Sequence, residues 1–195
     1  MDGKLGDWDL SGQIEMFVFQ SLQDKQNAKF AIMYDANALY LSGEVRDPTP
    51  MMNRHNPDVT GDKGWDADSA QFRITVDPSR EYPEEESAFK YSRNKELVDS
   101  RDDIKHLTLW YYTDKDLPVL QLYKGMSYRP ENPDWGRFSI APEEKFQSAY
   151  IPTPDGKGYT FEYRVPWTTL GVEAPPRGGD AVAGCGGGMW TDIWK

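Results

Sequence analysis

FAIMYDANALYLSGEVRDP runs from Phe30 to Pro48. Phe30, Ile32 and Tyr34 fall on one side of an extended chain. Leu39, Leu41, Gly43 and Val45 then resume the same period, with Tyr40, Ser42, Glu44 and Arg46 opposite. Alternation with a period of two marks a half-buried strand. The short gap filled by YDAN fits the turn of a hairpin. This stretch therefore predicts two paired antiparallel strands, and the rest of the chain repeats the pattern.

Toward the N-terminus, Ile14, Met16 and Val18 alternate with Glu15, Phe17 and Phe19. Downstream, Phe72, Ile74 and Val76 form an inward row against Gln71, Arg73 and Thr75, and Pro78 ends it because proline cannot continue a ladder. IKHLTLWYYTD and LPVLQLYKG read as a second hairpin about Lys115 and Asp116. FQSAYIPTPDGKGYTFEYRVPW reads as a third, turning at Asp155-Gly156. Its return strand sets Phe161, Tyr163 and Val165 against Thr160, Glu162 and Arg164. WTTLG suits one helical turn, and PPRGGDAVAG leads into a last strand. The polar stretch Pro83 to Asp103 and the proline- and charge-rich stretch Tyr128 to Lys145 read as long loops. No segment has a strong amphipathic helical period. The expectation is one all-β domain over residues 1–195, an antiparallel sandwich of the jelly-roll or immunoglobulin-like kind with little helix.

Composition narrows the function. The formal net charge is -10 and the isoelectric point about 4.7, which repels nucleic acid phosphates and anionic membranes. No stretch has the length of a membrane span. MDGKLGDWDL lacks a charged region followed by an apolar run, so it does not read as a signal peptide. Cys185 is alone, which excludes an internal disulfide framework and a thiolate metal site. Hydrophobic residues make up 38% of the chain and aromatics 13%, so rings carry much of the core and leave some for a surface.

Two groups of residues suggest a bound ion or cofactor. Asp58, Asp62, Asp66 and Asp68 crowd one loop, and calcium takes six to eight oxygen ligands that such a loop can contribute to. The spacing is not that of an EF-hand. The plainer alternative is that aspartates in turns bond their own backbone. Met51, Met52 and His55, with Met126 and His106 elsewhere, include the residue types of a haem axial pair. With two histidines in the chain, chance proximity is the simpler account of that group.

DGKLGDWD, YDANALYLSGEVRDP, WDADSAQFRITVDP and YTFEYRVPWTTLG with PPRGGDAVAG occur in this order over about Asp2 to Gly184. Together they resemble the family-nine carbohydrate-binding modules and the wider DOMON-like group. The resemblance implies a β-sandwich of two antiparallel sheets, sugar binding, bound calcium and no catalysis by the module itself. Related domains bind haem instead. The family's site holds a sugar ring between two tryptophans, and Trp65 matches the first. Gln71 stands where sugar-binding members carry Glu. The second tryptophan should follow the last strand, where this chain has Trp190 and Trp194 inside GCGGGMWTDIWK, a tail unlike the family's ending. The resemblance further implies an extracellular or periplasmic protein, with an attached or companion glycoside hydrolase as partner.

Sugars present apolar C–H faces and rings of hydroxyls, so their binders combine aromatic plates with planar polar groups. Besides Trp65, Gln71 and Arg73, the second hairpin offers such a surface. His106, Trp110 and Tyr112 share its outward face with Gln121 and Tyr123, unless that row packs under the 83–103 or 128–145 loop. Trp8 reads as core or edge cover, Trp167 as a packing residue, and Trp135 as a loop residue. There is no G-x-S-x-G, H-E-x-x-H or phosphate-cradling glycine loop. Glu44 and Glu162 fall on outward strand faces, where Arg46, Arg73 or Arg164 can pair with them. The alternatives to a sugar binder are a haem-binding electron-transfer domain and a docking domain without a small ligand.

Overall fold

The computed structural model describes residues 1–76, 104–124, 138–173, 176–177 and 184–190, with Lys124 and 184–190 described by backbone alone. The Pro83–Asp103 excursion, most of the 128–145 loop, Met126, Trp135 and Trp194 lie outside the described residues. Among the described residues, ten strands form two five-stranded antiparallel sheets. The first holds β1 (Ile14–Met16), β2 (Asn27–Tyr34), β3 (Ala38–Arg46), β9 (Gly158–Pro166) and β8 (Gln147–Pro152), in that spatial order. The second holds β10 (Gly184–Trp190), β4 (Ser69–Thr75), β5 (Ile104–Tyr112), β6 (Leu117–Lys124) and β7 (Phe138–Ile140). One short helix, α1 (Pro57–Thr60), and several single 3-10 turns complete the described elements.

The hairpin that fixed the reading forms as expected, with Tyr34 opposite Leu39 and Phe30 opposite Gly43. Asp35 builds its turn. Its Oδ1 accepts the backbone N–H groups of Asn37 at 2.7 Å and Ala38 at 2.8 Å, and these bonds hold its carboxyl below the usual range. Trp167 then closes over the turn by donating its indole N–H to the Asp35 carbonyl at 2.8 Å. The second hairpin turns through Thr113–Lys115 and Asp116, and the third through Gly156, whose φ of 67° is left-handed. The alternation expected through Phe19 stops early: β1 ends at Met16, and Phe17, Val18 and Phe19 are exposed.

The inward rows of the two sheets meet in one core. Phe30 and Phe72 cross from opposite sheets with ring centroids 5.3 Å apart and planes at 72°. Around them lie Leu39, Leu41, Val45, Leu107, Leu109, Leu120, Phe161, Tyr163 and Val165. Tyr159 and Tyr163 are buried in this core, and Tyr150 is half-buried against it. The Tyr163 hydroxyl donates to the Val119 carbonyl of the facing sheet at 3.0 Å and lies 3.3 Å from the Tyr150 hydroxyl. Burial, first of all causes, raises the phenols of Tyr150, Tyr159 and Tyr163 above their ordinary value of 10.0. The folded state therefore keeps protons that the unfolded chain releases above about pH 10. Stability should be flat from pH 7 to 9 and fall above pH ~10, by about 1.4 kcal/mol per pH unit for each phenol held neutral. Urea midpoints measured across this range check the slope.

The outward face of the first sheet gives a correction. Glu162 does not pair with an arginine: it is 1% exposed, under the segment Asp2–Trp8. One carboxylate oxygen accepts the backbone N–H groups of Asp2 at 2.8 Å and Gly3 at 2.6 Å. The other accepts the Trp8 indole N–H at 2.6 Å. Thr160, two residues back on the same face, donates to the Gly3 carbonyl. Arg46 instead pairs with Asp155, at 3.6 Å.

Candidate functional site

Among the described residues, part of the outward face of the second sheet is covered by another segment of the chain. Asn53 starts the cover, donating its side-chain amide to the carbonyls of Gly64 at 2.8 Å and Asp68 at 3.1 Å. The chain from Asn53 to Asp66 thereby lies over β5 and β6. Gln121 donates to the Gly61 carbonyl, and the Trp110 indole donates to the His55 carbonyl. Gly64 lies so close to the Trp110 ring that a Cβ there would sit 2.5 Å from a ring carbon. Trp110 is consequently 1% exposed and Tyr112 is 6% exposed. The expectation that these two rings offer an open aromatic surface is corrected. They form a small core with Val119 beneath the 53–66 segment, and only a residue without a side chain fits above them. Gly64→Ala should cost about 2 kcal/mol by overpacking, lowering Tm by roughly 5 °C in a thermal melt.

Beyond this cover, β4, β5 and β6 present a second set of side chains. Arg73 is opposite His106, and His106 is opposite Tyr123. His106 stacks on Tyr123 with centroids 5.2 Å apart and planes at 23°, and its Nε2 lies 3.2 Å from Gln71 Oε1. Phe138 of β7 extends the row, 6.0 Å from Tyr123. Trp65 sits partly exposed in the 3-10 segment Gly61–Asp66 that leads into β4. Its indole N–H donates to the Asp62 carbonyl at 3.0 Å, which fixes the ring to its own loop. The structure thus brings Gln71, Arg73, His106 and Tyr123 onto one face, with Trp65 on the loop at its edge. Tyr123 was on the outward row in the sequence, but its stacking on His106 depends on the hairpin register.

The four aspartates of the loop do not act together. Asp58, Asp62 and Asp66 are exposed, while Asp68 is buried and accepts the Met52 backbone N–H at 2.8 Å. Among the described residues no three His, Cys, Asp or Glu side chains converge to hold a metal. Nor do the described haem-ligand candidates, Met51, Met52, His55 and His106, come together as a pair. Met51 packs against the core, Met52 is exposed, His55 contributes its carbonyl to Trp110, and His106 faces Gln71.

A family model described as carbohydrate family 9 binding domain-like matches residues 1–183. The chain belongs to that family. Among solved structures, a family 9 carbohydrate binding module from Caldicellulosiruptor kristjanssonii, in complex with glucose and in complex with cellotriose, is similar at 19% identity and a TM-score of 0.43. Each alignment covers 90% of this chain, and 65% and 64% of the two matched chains. A putative carbohydrate-binding protein from Bacteroides uniformis is similar at 9% identity and a TM-score of 0.40, covering 81% of this chain and 60% of that one. This chain therefore spans less than two thirds of the length of these structures. No curated protein matches it.

In this family 9 domain the glycine-rich tail forms a strand. β10 pairs with β4 along the edge of the second sheet, with Cys185 opposite Arg73, Gly188 opposite Gln71 and Trp190 opposite Ser69. The register shifts between Cys185 and Gly188. The backbone of Trp190 thus runs beside the start of β4, just after the Trp65 loop. Alternation did not reveal this strand because GCGGG has no side-chain period to read.

Proposed function

We propose that this domain binds a plant-type polysaccharide or its oligosaccharides without catalysis, through Trp65 and the Gln71–His106 face beside it. Membership of the carbohydrate-binding family over residues 1–183 carries the reading. The face supports it chemically. An indole offers a plate for the C–H side of a sugar ring, and an amide, an imidazole and a guanidinium offer planar partners for hydroxyls. The complexes of the Caldicellulosiruptor kristjanssonii module contain glucose and cellotriose, so β-glucan chains are the first ligands to try. Trp190 is the proposed second ring, and Arg73 borders the site. On this reading the domain works outside the cytoplasm, extracellular or periplasmic, attached to or alongside a glycoside hydrolase. The test is retention of the folded protein on insoluble cellulose, xylan and chitin, with calorimetric titration of soluble oligosaccharides. Retention on at least one glycan, reversed by its soluble oligosaccharide, is the expected result; no binding to any of them overturns it.

A further inference from the structure

Gln121 is 0% exposed, so it cannot itself touch a ligand. Its side-chain nitrogen nevertheless bonds to both parts of the face proposed for one. One amide proton goes to the Gly61 carbonyl at 2.6 Å, on the first residue of the 3-10 segment that carries Trp65. The other goes to the Tyr123 hydroxyl at 3.2 Å. Tyr123 stacks on His106, and His106 Nε2 lies 3.2 Å from Gln71 Oε1. One primary amide therefore ties the Trp65 loop to the group Tyr123, His106 and Gln71. Chemistry fixes its orientation: a carbonyl only accepts, so the nitrogen must face Gly61. The Gln121 oxygen is left buried without a partner, as is the hydroxyl of Thr108 opposite it on β5. A buried acceptor without a bond is costly, so a position serving packing alone favours an apolar residue, as at Val119 on the same face. The two bonds of the nitrogen explain why an amide stands here. Asn53 holds the far end of the segment, through the Gly64 and Asp68 carbonyls. The Trp65 indole bonds within the segment, to Asp62, so the ring goes where the segment is held.

We infer that Gln121 is a positioning residue: it sets where the Trp65 ring stands relative to Gln71, His106 and Tyr123. The inference rests on the proposed glycan reading for what the ring does, and on these bonds alone for where the ring is held. A face arranged before the ligand arrives binds at a lower ordering cost. Loss of Gln121 therefore weakens binding without removing any contact to the ligand.

The test labels the whole chain with 5-fluorotryptophan, which gives each of the seven tryptophans a fluorine resonance. Trp65→Phe identifies the resonance of Trp65. Gln121→Met keeps the length of the side chain and removes both bonds. With no sugar present it should shift or split the Trp65 resonance, while those of Trp8 and Trp167, bonded to Glu162 and Asp35, stay in place. Cellotriose, or the soluble oligosaccharide of whichever glycan retains the wild type, should bind it about tenfold more weakly by calorimetry. In a Trp65→Ala background the same substitution should change affinity by less than about twofold, because it acts through the ring. Val165→Ala, a truncation of a buried residue in the first sheet, controls for lost stability. It should lower Tm yet leave the Trp65 resonance and the affinity unchanged. Gln121→Asn, whose shorter amide does not reach Gly61, should move the Trp65 resonance as the methionine variant does, and decides the question if that variant fails to fold. A Trp65 resonance unmoved by loss of Gln121, one moved equally by Val165→Ala, or an affinity loss as large without Trp65 as with it overturns the inference. If the wild type binds no glycan, the proposed function falls, and the resonance alone decides whether Gln121 holds the ring.

Discussion

Glu162→Ala is expected to lower stability by about 3–5 kcal/mol, the largest loss from any single substitution considered for this domain. The side chain accepts from Asp2, Gly3 and Trp8 at 2.6–2.8 Å while 1% exposed. Charge-assisted bonds of this length are worth roughly 1.5–3 kcal/mol each, and truncation leaves three donors without their acceptor. Water entering the gap recovers part of that, which sets the upper end of the range. For a chain of this size the loss corresponds to a fall in Tm of roughly 10–15 °C. Because Trp8 is released at the same time, its fluorescence should shift to the red, and limited proteolysis should cut within residues 1–10 before the sandwich unfolds. Unchanged Tm and an intact N-terminal segment would show that the carboxylate does not hold it. Glu162→Gln keeps an acceptor for some of the donors, so it should lose less than the alanine variant.

Trp65→Ala should weaken glycan binding by about 30- to 150-fold, equivalent to about 2–3 kcal/mol. The expected magnitude comes from what the ring does. It is only partly exposed and its indole N–H is already committed to the Asp62 carbonyl, so its contribution to a ligand would come from the apolar ring. Aromatic plates dominate such sites, while the surrounding polar groups set orientation. Trp65→Phe should retain most of the affinity, since it keeps a plate while losing the bond to Asp62. The melting temperature of Trp65→Ala should stay within a few degrees of the wild type, because the residue takes no part in either core cluster. Isothermal titration with a soluble oligosaccharide, beside a thermal melt, separates the two effects. Equal affinity in wild type and Trp65→Ala would move the site elsewhere.

The fold was legible where side chains carry a period. Phe30–Val45, Phe72–Ile74 and Phe161–Val165 alternate cleanly, and these rows face the core as read except at Ile32, which is 39% exposed near the end of β2. Period alone does not say what lies on the outer side of a strand. Trp110 and Tyr112 were placed correctly as outward, yet they are buried because Asn53, Gly61 and Gly64 hold another segment against them. Glu162 was misread for the same reason: its partners are two backbone N–H groups and the Trp8 indole, all more than 150 residues away, which no local pattern marks. The aspartate loop failed differently. Closeness in sequence suggested a joint site, but a 3-10 turn spreads Asp62 and Asp66 to solvent while the strand that follows turns Asp68 inward.

The bonds to Glu162 span 154 to 160 positions of chain. At a synthesis rate of about 5–20 residues per second, the acceptor leaves the ribosome roughly 8–30 s after its donors. Throughout that interval Asp2–Trp8 has no place to dock, and the strands that emerge first must survive without it. The domain is therefore sealed by a segment made long before its acceptor, and a nascent chain stalled before β9 would offer chaperones an unshielded Trp8 indole.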